Sequence, residues 1–179
     1  MCYNKYTYFL FHITCILIMK ITGGELKGRN VEVRPHRSLR PTTGKVREAI
    51  FNLLVHGKFF NDERFVDPGH DIIEGQKVID IFCGTGVLGL EALSRGAEHV
   101  TMIDEDSRTI DIARLNVRNL NANATVIRSD STKLPRSTHQ CTLAFLDPPY
   151  ESNLASAALK SLKEQGWLAD AAIVIVEHG

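Results

Sequence analysis

The chain has 179 residues, a formal net charge of zero and an apolar content of 44%. This length suits one α/β domain with a substantial core and excludes two comfortable domains. The charge is polarised, because residues 19–48 carry eight Lys or Arg against three Glu, whereas residues 49–179 carry twelve against eighteen acidic residues. A basic leading segment of this kind is either a solvated face or a contact surface for nucleic acid.

The cysteine pattern bears on the cellular compartment and on metal binding. The cysteines at positions 2, 15, 83 and 141 show neither C-x-x-C spacing nor the density of a disulfide framework. This usage is typical of a reducing cytosol, so we expect a cytoplasmic protein. No His or Cys cluster in the sequence has the spacing of zinc ligands, and no metal is expected. Cys83, beside Gly84, is interpreted as a small space-filler rather than as a nucleophile.

Residues 1–18 are interpreted as an upstream extension that is not part of the fold. The apolar run from Tyr8 to Met19 is shorter than the roughly 20 residues that span a membrane. Lys5 is the only charge before this run and no small-residue cleavage site follows it, which disfavours a signal peptide. We therefore expect no membrane contact and a fold that begins at Met19.

Residues 19–58 are predicted to form a basic N-terminal hairpin and a helix. Residues 21–28 and 30–33 alternate enough to suggest two short strands joined by glycine turns. Lys45 and Arg47 are expected on the face of the helix that meets solvent or a ligand. The opposite, apolar face is predicted to comprise Val46, Ala49, Ile50, Leu53 and Leu54.

A glycine turn is predicted directly after a buried strand. Residues 78–82 are mainly apolar, which is typical of a parallel strand covered on both faces. Gly84, Gly86 and Gly89 match G-x-G-x-x-G, in which glycine lets the backbone turn sharply and approach a ligand. The next apolar strand ends at Asp104, about 20 residues after the first glycine, where a carboxylate reaches ribose hydroxyls. These features predict a nucleotide-type ligand at the turn.

The remaining segments alternate between predicted helices and strands. Residues 59–77 are expected to be a loop or an insertion, and residues 78–179 the core of the domain. Helices are predicted over 107–120 and from Leu154 to a cap at Gly166, and strands over 124–128, 141–146 and 171–176. This order predicts an α/β fold with a doubly wound, mostly parallel, Rossmann-like sheet.

Four aspartates lie at or just beyond the carboxyl ends of predicted strands, namely Asp80, Asp104, Asp130 and Asp147. In doubly wound sheets, ligands bind at these ends, where the strand order reverses. The equivalent positions of the four acids predict one shared crevice, although each alone would be an ordinary loop or capping residue.

Two groups of motifs resemble known families. Asp80-Ile-Phe-Cys-Gly-Thr-Gly86, Asp104 and Asp147-Pro-Pro-Tyr150 resemble the S-adenosylmethionine-dependent methyltransferases that modify exocyclic amino groups of bases. Longer blocks at 22–29, 40–43, 46–52 and 88–96 resemble the RsmD family, which methylates N2 of a guanine in 16S ribosomal RNA. The resemblance runs from about Met19 to the last residue and implies a fold of the class I methyltransferase type. The C-terminal hairpin of the family is expected to be missing after residues 171–176, which would expose a strand edge.

The resemblance also implies which residues bind the cofactor. Asp80 and the glycine turn would contact its methionine part, Asp104 its ribose hydroxyls and Asp130 its adenine amino group. The full set implied to hold S-adenosylmethionine is Thr42, Thr43, Asp80, Phe82, Gly84, Thr85, Gly86, Asp104 and Asp130. Of these, the two threonines would lie near the carboxylate of the cofactor.

The segment Asp147, Pro148, Pro149 and Tyr150 is implied to be catalytic. The exocyclic amine of guanine is a poor nucleophile because its lone pair is delocalised into the ring. Asp147, with the Pro148 carbonyl beside it, would accept N–H and localise the lone pair. The face of Tyr150 would stack on a base that has left its own stack. The alternative is a stiff Pro-Pro turn in which Asp147 only caps a helix.

The expected partner is 16S rRNA or the small ribosomal subunit, and a monomer is expected. The basic segment would contact the RNA through Arg29, Arg34, Arg37 and Arg40. DNA adenine-N6 methyltransferases share the catalytic motif, so this function remains an alternative. An NAD-type oxidoreductase would use the glycines and Asp104 but would give Asp147-Pro-Pro-Tyr150 no role. A non-catalytic RNA-binding module would leave the glycine turn without a ligand.

Overall fold

The computed structural model describes residues 17–33, 44–56, 72–149 and 153–177. The strands in this part of the chain are β1 (Leu17–Lys20), β2 (Asn30–Val33), β3 (Lys77–Ile81), β4 (His99–Asp104), β5 (Ala124–Arg128), β6 (Cys141–Leu146) and β7 (Leu168–Val176). The helices are α1 (Gly44–His56), α2 (Val87–Ser94), α3 (Ser107–Leu120) and α4 (Leu154–Glu164). No helix within these ranges is long and apolar enough to cross a membrane.

The main sheet has the strand order β5-β4-β3-β6-β7, and every neighbouring pair is parallel. The chain runs from β3 outward through β4 to β5 and then returns to place β6 on the other side of β3. This confirms the expected doubly wound, Rossmann-like sheet. The strand order reverses between β3 and β6, which is where such sheets bind ligands.

Apolar side chains cover both faces of the sheet. On one face, Val78 and Met102 pack with Leu90 of α2 and Ile110 of α3. On the other face, Ile79 and Ile81 pack with Ala158 and Leu162 of α4. Burial on both faces explains why the central strands read as continuous apolar runs rather than as alternating ones.

The N-terminal hairpin differs from the prediction. Its first strand is β1, which pairs antiparallel with β2, whereas residues 21–29 form turns, so the strand predicted over 21–28 is wrong. Gly24 and Gly28 have φ angles of 73° and 84°, which favour turns over a strand. Because Leu17 and Ile18 belong to β1, the fold begins before the expected start at residue 19. The remainder of the expected extension, residues 1–16, lies outside the described residues.

The packing face of α1 also differs from the prediction. Arg47 is 1% exposed, whereas Val46 and Leu53 are 44% and 51% exposed. The face that packs on the sheet carries Phe51 and Leu54, together with Arg47. The prediction that Arg47 faces solvent or a ligand is wrong because its Nε donates to the buried Glu91 at 3.1 Å. Lys45 is exposed, as expected.

The later elements follow the sequence closely, with two exceptions. α3 spans the predicted residues 107–120 and buries Ile110. β7 begins at Leu168, before the predicted residue 171, and is half-buried at the edge of the described sheet. Leu159, an apolar residue of α4, is 39% exposed. Of the predicted loop at 59–77, residues 72–76 form turns and bends, residue 77 opens β3, and residues 57–71 lie outside the described ranges.

Candidate active site

Two of the predicted motifs meet at the reversal of strand order. The glycine turn follows β3 and Asp147 follows the adjacent strand β6. The backbone N–H of Asp147 donates to the Ile81 carbonyl at 3.4 Å, which extends the pairing of β3 and β6 by one hydrogen bond. Asp147 is half-buried, Pro148 is buried and Pro149 is exposed. Tyr150, like Thr42 and Thr43, lies outside the described residues.

The turn after β3 uses left-handed backbone conformations at three positions. The φ angles are 62° at Phe82, 55° at Gly84 and 82° at Gly86. A positive φ costs glycine little but strains a bulky side chain such as Phe82. Two hydrogen bonds hold the turn, because the Cys83 N–H donates to the Ile103 carbonyl at 3.1 Å and the Gly86 N–H donates to the Cys83 carbonyl at 2.8 Å.

The three glycines of the motif serve different purposes. A Cβ added at Gly84 would meet no atom within 4 Å, so this residue borders open space. A Cβ at Gly86 would meet the Met102 sulfur at 2.8 Å, and one at Gly89 would meet Met102 at 2.8 Å and Val100 at 2.9 Å. Gly86 and Gly89 therefore let α2 pack closely on β4, while Gly84 leaves room for a ligand to approach the backbone.

The carboxylate of Asp104 is fixed at the end of β4. One oxygen accepts the Gly84 N–H at 2.8 Å, and the other accepts the Asp106 N–H at 2.9 Å. Each carboxylate oxygen can accept a second hydrogen bond. Asp104 is half-buried, so it can hold the turn in place and still offer two oriented acceptors to a diol.

Asp80 lies inside β3 and is 1% exposed. One of its oxygens accepts the Gly89 N–H at 2.9 Å, which joins β3 to the first turns of α2. The pKa of Asp80 is raised to about 8, mainly by burial; the Gly89 hydrogen bond lowers it, and the negative charges of Asp147 and Asp104 add smaller increases. Three carboxyl groups thus lie close to the glycine turn, and near neutral pH the negative potential there comes from Asp104 and Asp147, because Asp80 keeps its proton.

Asp80 should make the stability of the unliganded protein depend on pH. The folded chain keeps the Asp80 proton up to its pKa of about 8, whereas the unfolded chain releases it near 3.8. The folded state binds more protons within this window, so the free energy of unfolding should fall as the pH rises through it. Asp80→Asn preserves an acceptor for Gly89 and removes the titration. Urea unfolding should show a shallower decline for this variant, and equal declines would contradict the raised pKa.

Asp130 follows β5 in a tight local arrangement. Its Oδ1 accepts the backbone N–H of Thr132 at 2.8 Å and the Thr132 hydroxyl at 2.7 Å. These bonds, with a smaller effect of Lys133, lower the pKa of Asp130. The carboxylate is therefore ionised at neutral pH, and it lies beyond the same edge of the sheet as Asp104.

Cys83 has no feature of a nucleophile. Its side chain is 9% exposed, and burial raises the pKa of the thiol well above its usual range, with the charges of Asp80 and Asp104 adding to the effect. A thiol in this environment stays protonated and unreactive. This agrees with its interpretation as a space-filler inside the turn.

Buried polar residues behind the turn were not recognised from the sequence. Glu91 of α2 is 0% exposed and accepts hydrogen bonds from the Thr22 and Gly23 backbone, the Thr22 hydroxyl, Arg47 and Arg95. Asn116 of α3 is 1% exposed and bonds to Glu32 and Thr85. A charged or amide side chain within the apolar face of a helix is the one signal that could have identified them.

Comparison with solved structures defines the class of protein. The structure of the Escherichia coli protein yhhF aligns with a TM-score of 0.71 at 33% sequence identity, covering 90% of this chain and 82% of that one. Together with the parallel sheet and its glycine turn, this establishes a Rossmann-like fold of the class I methyltransferase type.

Sequence comparison defines the family. The model described as "Conserved hypothetical protein 95" matches residues 19–179, and the chain belongs to this family, the RsmD family of rRNA methyltransferases. Ribosomal RNA small subunit methyltransferase D of Escherichia coli K12 is 35% identical over 161 residues, which are 89% of this chain and 74% of that protein. YlbH of Bacillus subtilis is 32% identical over 166 residues, covering 89% of this chain and 82% of that protein.

Proposed function

We propose that this protein transfers a methyl group from S-adenosylmethionine to the exocyclic N2 amine of a guanine in 16S rRNA. The observation that carries the proposal is the position of Asp147 next to the glycine turn, across the reversal of strand order between β3 and β6. A cofactor on the turn and an amine at Asp147 would then be neighbours. Family membership supports rRNA as the substrate class.

The charge of the turn suits this cofactor better than a dinucleotide. S-adenosylmethionine carries a sulfonium and an ammonium against one carboxylate, so it is a net cation when both are charged. The negative charges of Asp104 and Asp147 act on Asp80 at the turn and favour a cation there, whereas Asp80 is protonated near neutral pH. The pyrophosphate of NAD would have to bind at the same helix N-terminus, where the carboxylates would repel its negative charge. This argues against the oxidoreductase alternative.

The described residues have the chemistry needed to hold each part of the cofactor. Gly84 offers open space beside its backbone, where the methionine part would lie. Asp104 offers two fixed carboxylate oxygens to the ribose hydroxyls, and Asp130 offers an ionised carboxylate to the adenine amino group. When bound, S-adenosylmethionine supplies an activated methyl group.

The protein itself prepares the amine. Asp147 would accept an N–H of the guanine amine and so favour a lone pair localised on nitrogen. The stiff Pro148-Pro149 segment limits movement of Asp147 relative to β6, and the face of Tyr150 would hold the base by stacking. Orientation of two reactants in this way can contribute about 7–11 kcal/mol to lowering a barrier.

Replacing Asp104 with Ala should weaken cofactor binding. The change removes two charge-assisted hydrogen bonds to the ribose and also releases the Gly84 N–H. We expect a loss of at least about 1.5–3 kcal/mol, the range for one such bond, which is roughly ten- to 150-fold or more in Kd for S-adenosylhomocysteine by titration calorimetry. Asp111→Ala, at an exposed position on α3, is the matched control and should leave Kd unchanged. If Asp104→Ala leaves the Kd unchanged, the ribose does not bind at Asp104.

The basic segment should bind RNA mainly through phosphates. Replacing Arg34, Arg37 and Arg40 with Ala should lower the affinity for RNA of any sequence and flatten its dependence on salt, because fewer counterions are released. Filter binding at several salt concentrations measures both effects. These three residues lie outside the described ranges, and Arg29 is exposed with one N–H bonded to the Asn119 carbonyl at 3.1 Å. If the triple variant binds RNA as tightly as the parent, the segment is a solvated face and not an RNA contact.

The proposal is tested by methyl transfer itself. The protein is incubated with labelled S-adenosylmethionine and small ribosomal subunits from cells that lack the corresponding enzyme, and the RNA is digested to nucleosides. Labelled N2-methylguanosine is the expected product. Label in N6-methyladenine of added DNA would favour the DNA enzyme. RNA binding without cofactor binding would favour the non-catalytic module.

A further inference from the structure

Asn116 joins the N-terminal hairpin to the glycine turn through one side chain. Its Oδ1 accepts the backbone N–H of Glu32 at 2.9 Å, and its Nδ2 donates to the Glu32 carbonyl at 2.9 Å. The same Nδ2 donates its other hydrogen to the Thr85 carbonyl at 3.0 Å. Both N–H groups of the amide are therefore used, and the side chain is 1% exposed.

The two ends of this bridge belong to different parts of the proposed site. Thr85 lies between Gly84 and Gly86, in the turn where the cofactor would bind. Glu32 lies in β2, and the chain that follows β2 is the basic segment containing Arg34. Asn116 pairs with Glu32 as a neighbouring strand would, through one accepted and one donated bond. The hairpin is thereby attached to the turn rather than only to the outside of α3.

We propose that Asn116 is a positioning residue that couples the cofactor turn to the basic N-terminal hairpin of β1 and β2, which would contact RNA. This inference rests on the proposed function. A ligand on the turn restricts the movement of the Thr85 carbonyl. Because the Asn116 amide is planar and both of its hydrogens are engaged, restriction at Thr85 restricts the bonds to Glu32 as well. Binding free energies linked in this way are reciprocal, so RNA on the hairpin should also tighten the cofactor.

Hydrogen exchange of the full chain measures this coupling. The Glu32 amide donates to Asn116, so its exchange reports directly on the bridge. Adding S-adenosylhomocysteine to the parent should slow exchange in the peptide that covers β2 by about fivefold or more, alongside protection of the turn. In Asn116→Ala, the turn should still gain protection but β2 should not. In the same variant, kcat/KM for RNA should be lower than in the parent. Its Kd for the cofactor alone should stay within about twofold of the parent value.

Asn119→Ala is the matched control, since its side chain is exposed on the same helix and Arg29 uses only its backbone carbonyl. It should keep the response of β2. If the cofactor protects the turn in the parent but leaves β2 unchanged, the coupling is wrong and the proposed function stands. A β2 response that survives in Asn116→Ala also overturns the coupling. A parent that does not bind S-adenosylhomocysteine contradicts the proposed function instead. If Asn116→Ala does not fold, the parent experiment alone decides.

Discussion

Replacing Asp147 with Ala should reduce kcat for methyl transfer by on the order of 10²–10³, the typical effect of removing one preorganised electrostatic contact. The guanine amine loses the acceptor that localises its lone pair. Asp147 follows β6, whereas the fixed acceptors proposed for the cofactor lie at the ends of β4 and β5. The Kd for S-adenosylhomocysteine should therefore change little. Single-turnover kinetics together with calorimetry separate the two quantities.

The matched control for this change is Asp170→Ala, at an exposed position of β7. It should retain the kcat of the parent. An Asp147→Ala protein that is folded, binds the cofactor and methylates at the parent rate would contradict the catalytic role and leave Asp147 as a capping residue.

Replacing Glu91 with Ala should lower the free energy of unfolding by about 3–5 kcal/mol, the range expected when one partner of a buried ion pair is removed. Glu91 is 0% exposed and holds Arg47 at 3.1 Å and Arg95 at 3.0 Å. Without it, the 1%-exposed Arg47 keeps a buried charge, and its Nη1 already has no hydrogen-bond partner among the described residues. The Thr22 and Gly23 backbone amides also lose their acceptor.

Urea unfolding measures this loss, and Glu98→Ala, at an exposed position, should change stability by less than about 0.5 kcal/mol. The double variant Glu91→Leu with Arg47→Met should be more stable than Glu91→Ala, because the fully buried charge of Arg47 is removed and only the partly exposed Arg95 loses its partner. A Glu91→Ala protein as stable as the parent would mean that the hairpin and α1 gain nothing from this cluster.

The main sheet could be predicted because its signals are local. Each central strand is a short apolar run. The turn at Gly84 is marked by its glycines, and the helix over residues 107–120 by the periodic spacing of its apolar residues. Asp104, Asp130 and Asp147 lie at or beyond the carboxyl ends of their strands, as expected, because the ends of parallel strands share one edge. Asp80 instead lies inside β3 and is buried. β7 was predicted too short because residues 168–170 are a mixed sequence, and Ala171 has a φ of 61° within the strand.

The hairpin and α1 were mispredicted because distant residues determine them. Arg47 can be buried because Glu91, 44 positions later, and the Lys20 carbonyl, 27 positions earlier, both accept its hydrogen bonds. The turn at Gly24 is likewise set by close contact with α2, since a Cβ there would lie 1.6 Å from the Ser94 carbonyl oxygen. Periodicity favoured Val46 and Leu53 as core residues because it weighs hydrophobicity alone.

The candidate site shows the same division between local and distant information. Gly84, Asp104 and Asp147 carry motif signals that can be read along the chain. The hydrogen bond from Gly84 to Asp104 and the bridge formed by Asn116 depend on contacts across 20 and 84 positions, which no local pattern contains.

A crystal structure of the protein with S-adenosylhomocysteine tests the central claim most directly. The account predicts that the ribose hydroxyls bond to the Asp104 carboxylate and that the methionine part lies along the backbone at Gly84. The sulfur, which marks the position of the transferred methyl group, should face Asp147 at the carboxyl ends of the paired strands β3 and β6. A cofactor bound elsewhere, or one whose sulfur points away from Asp147, would contradict the account.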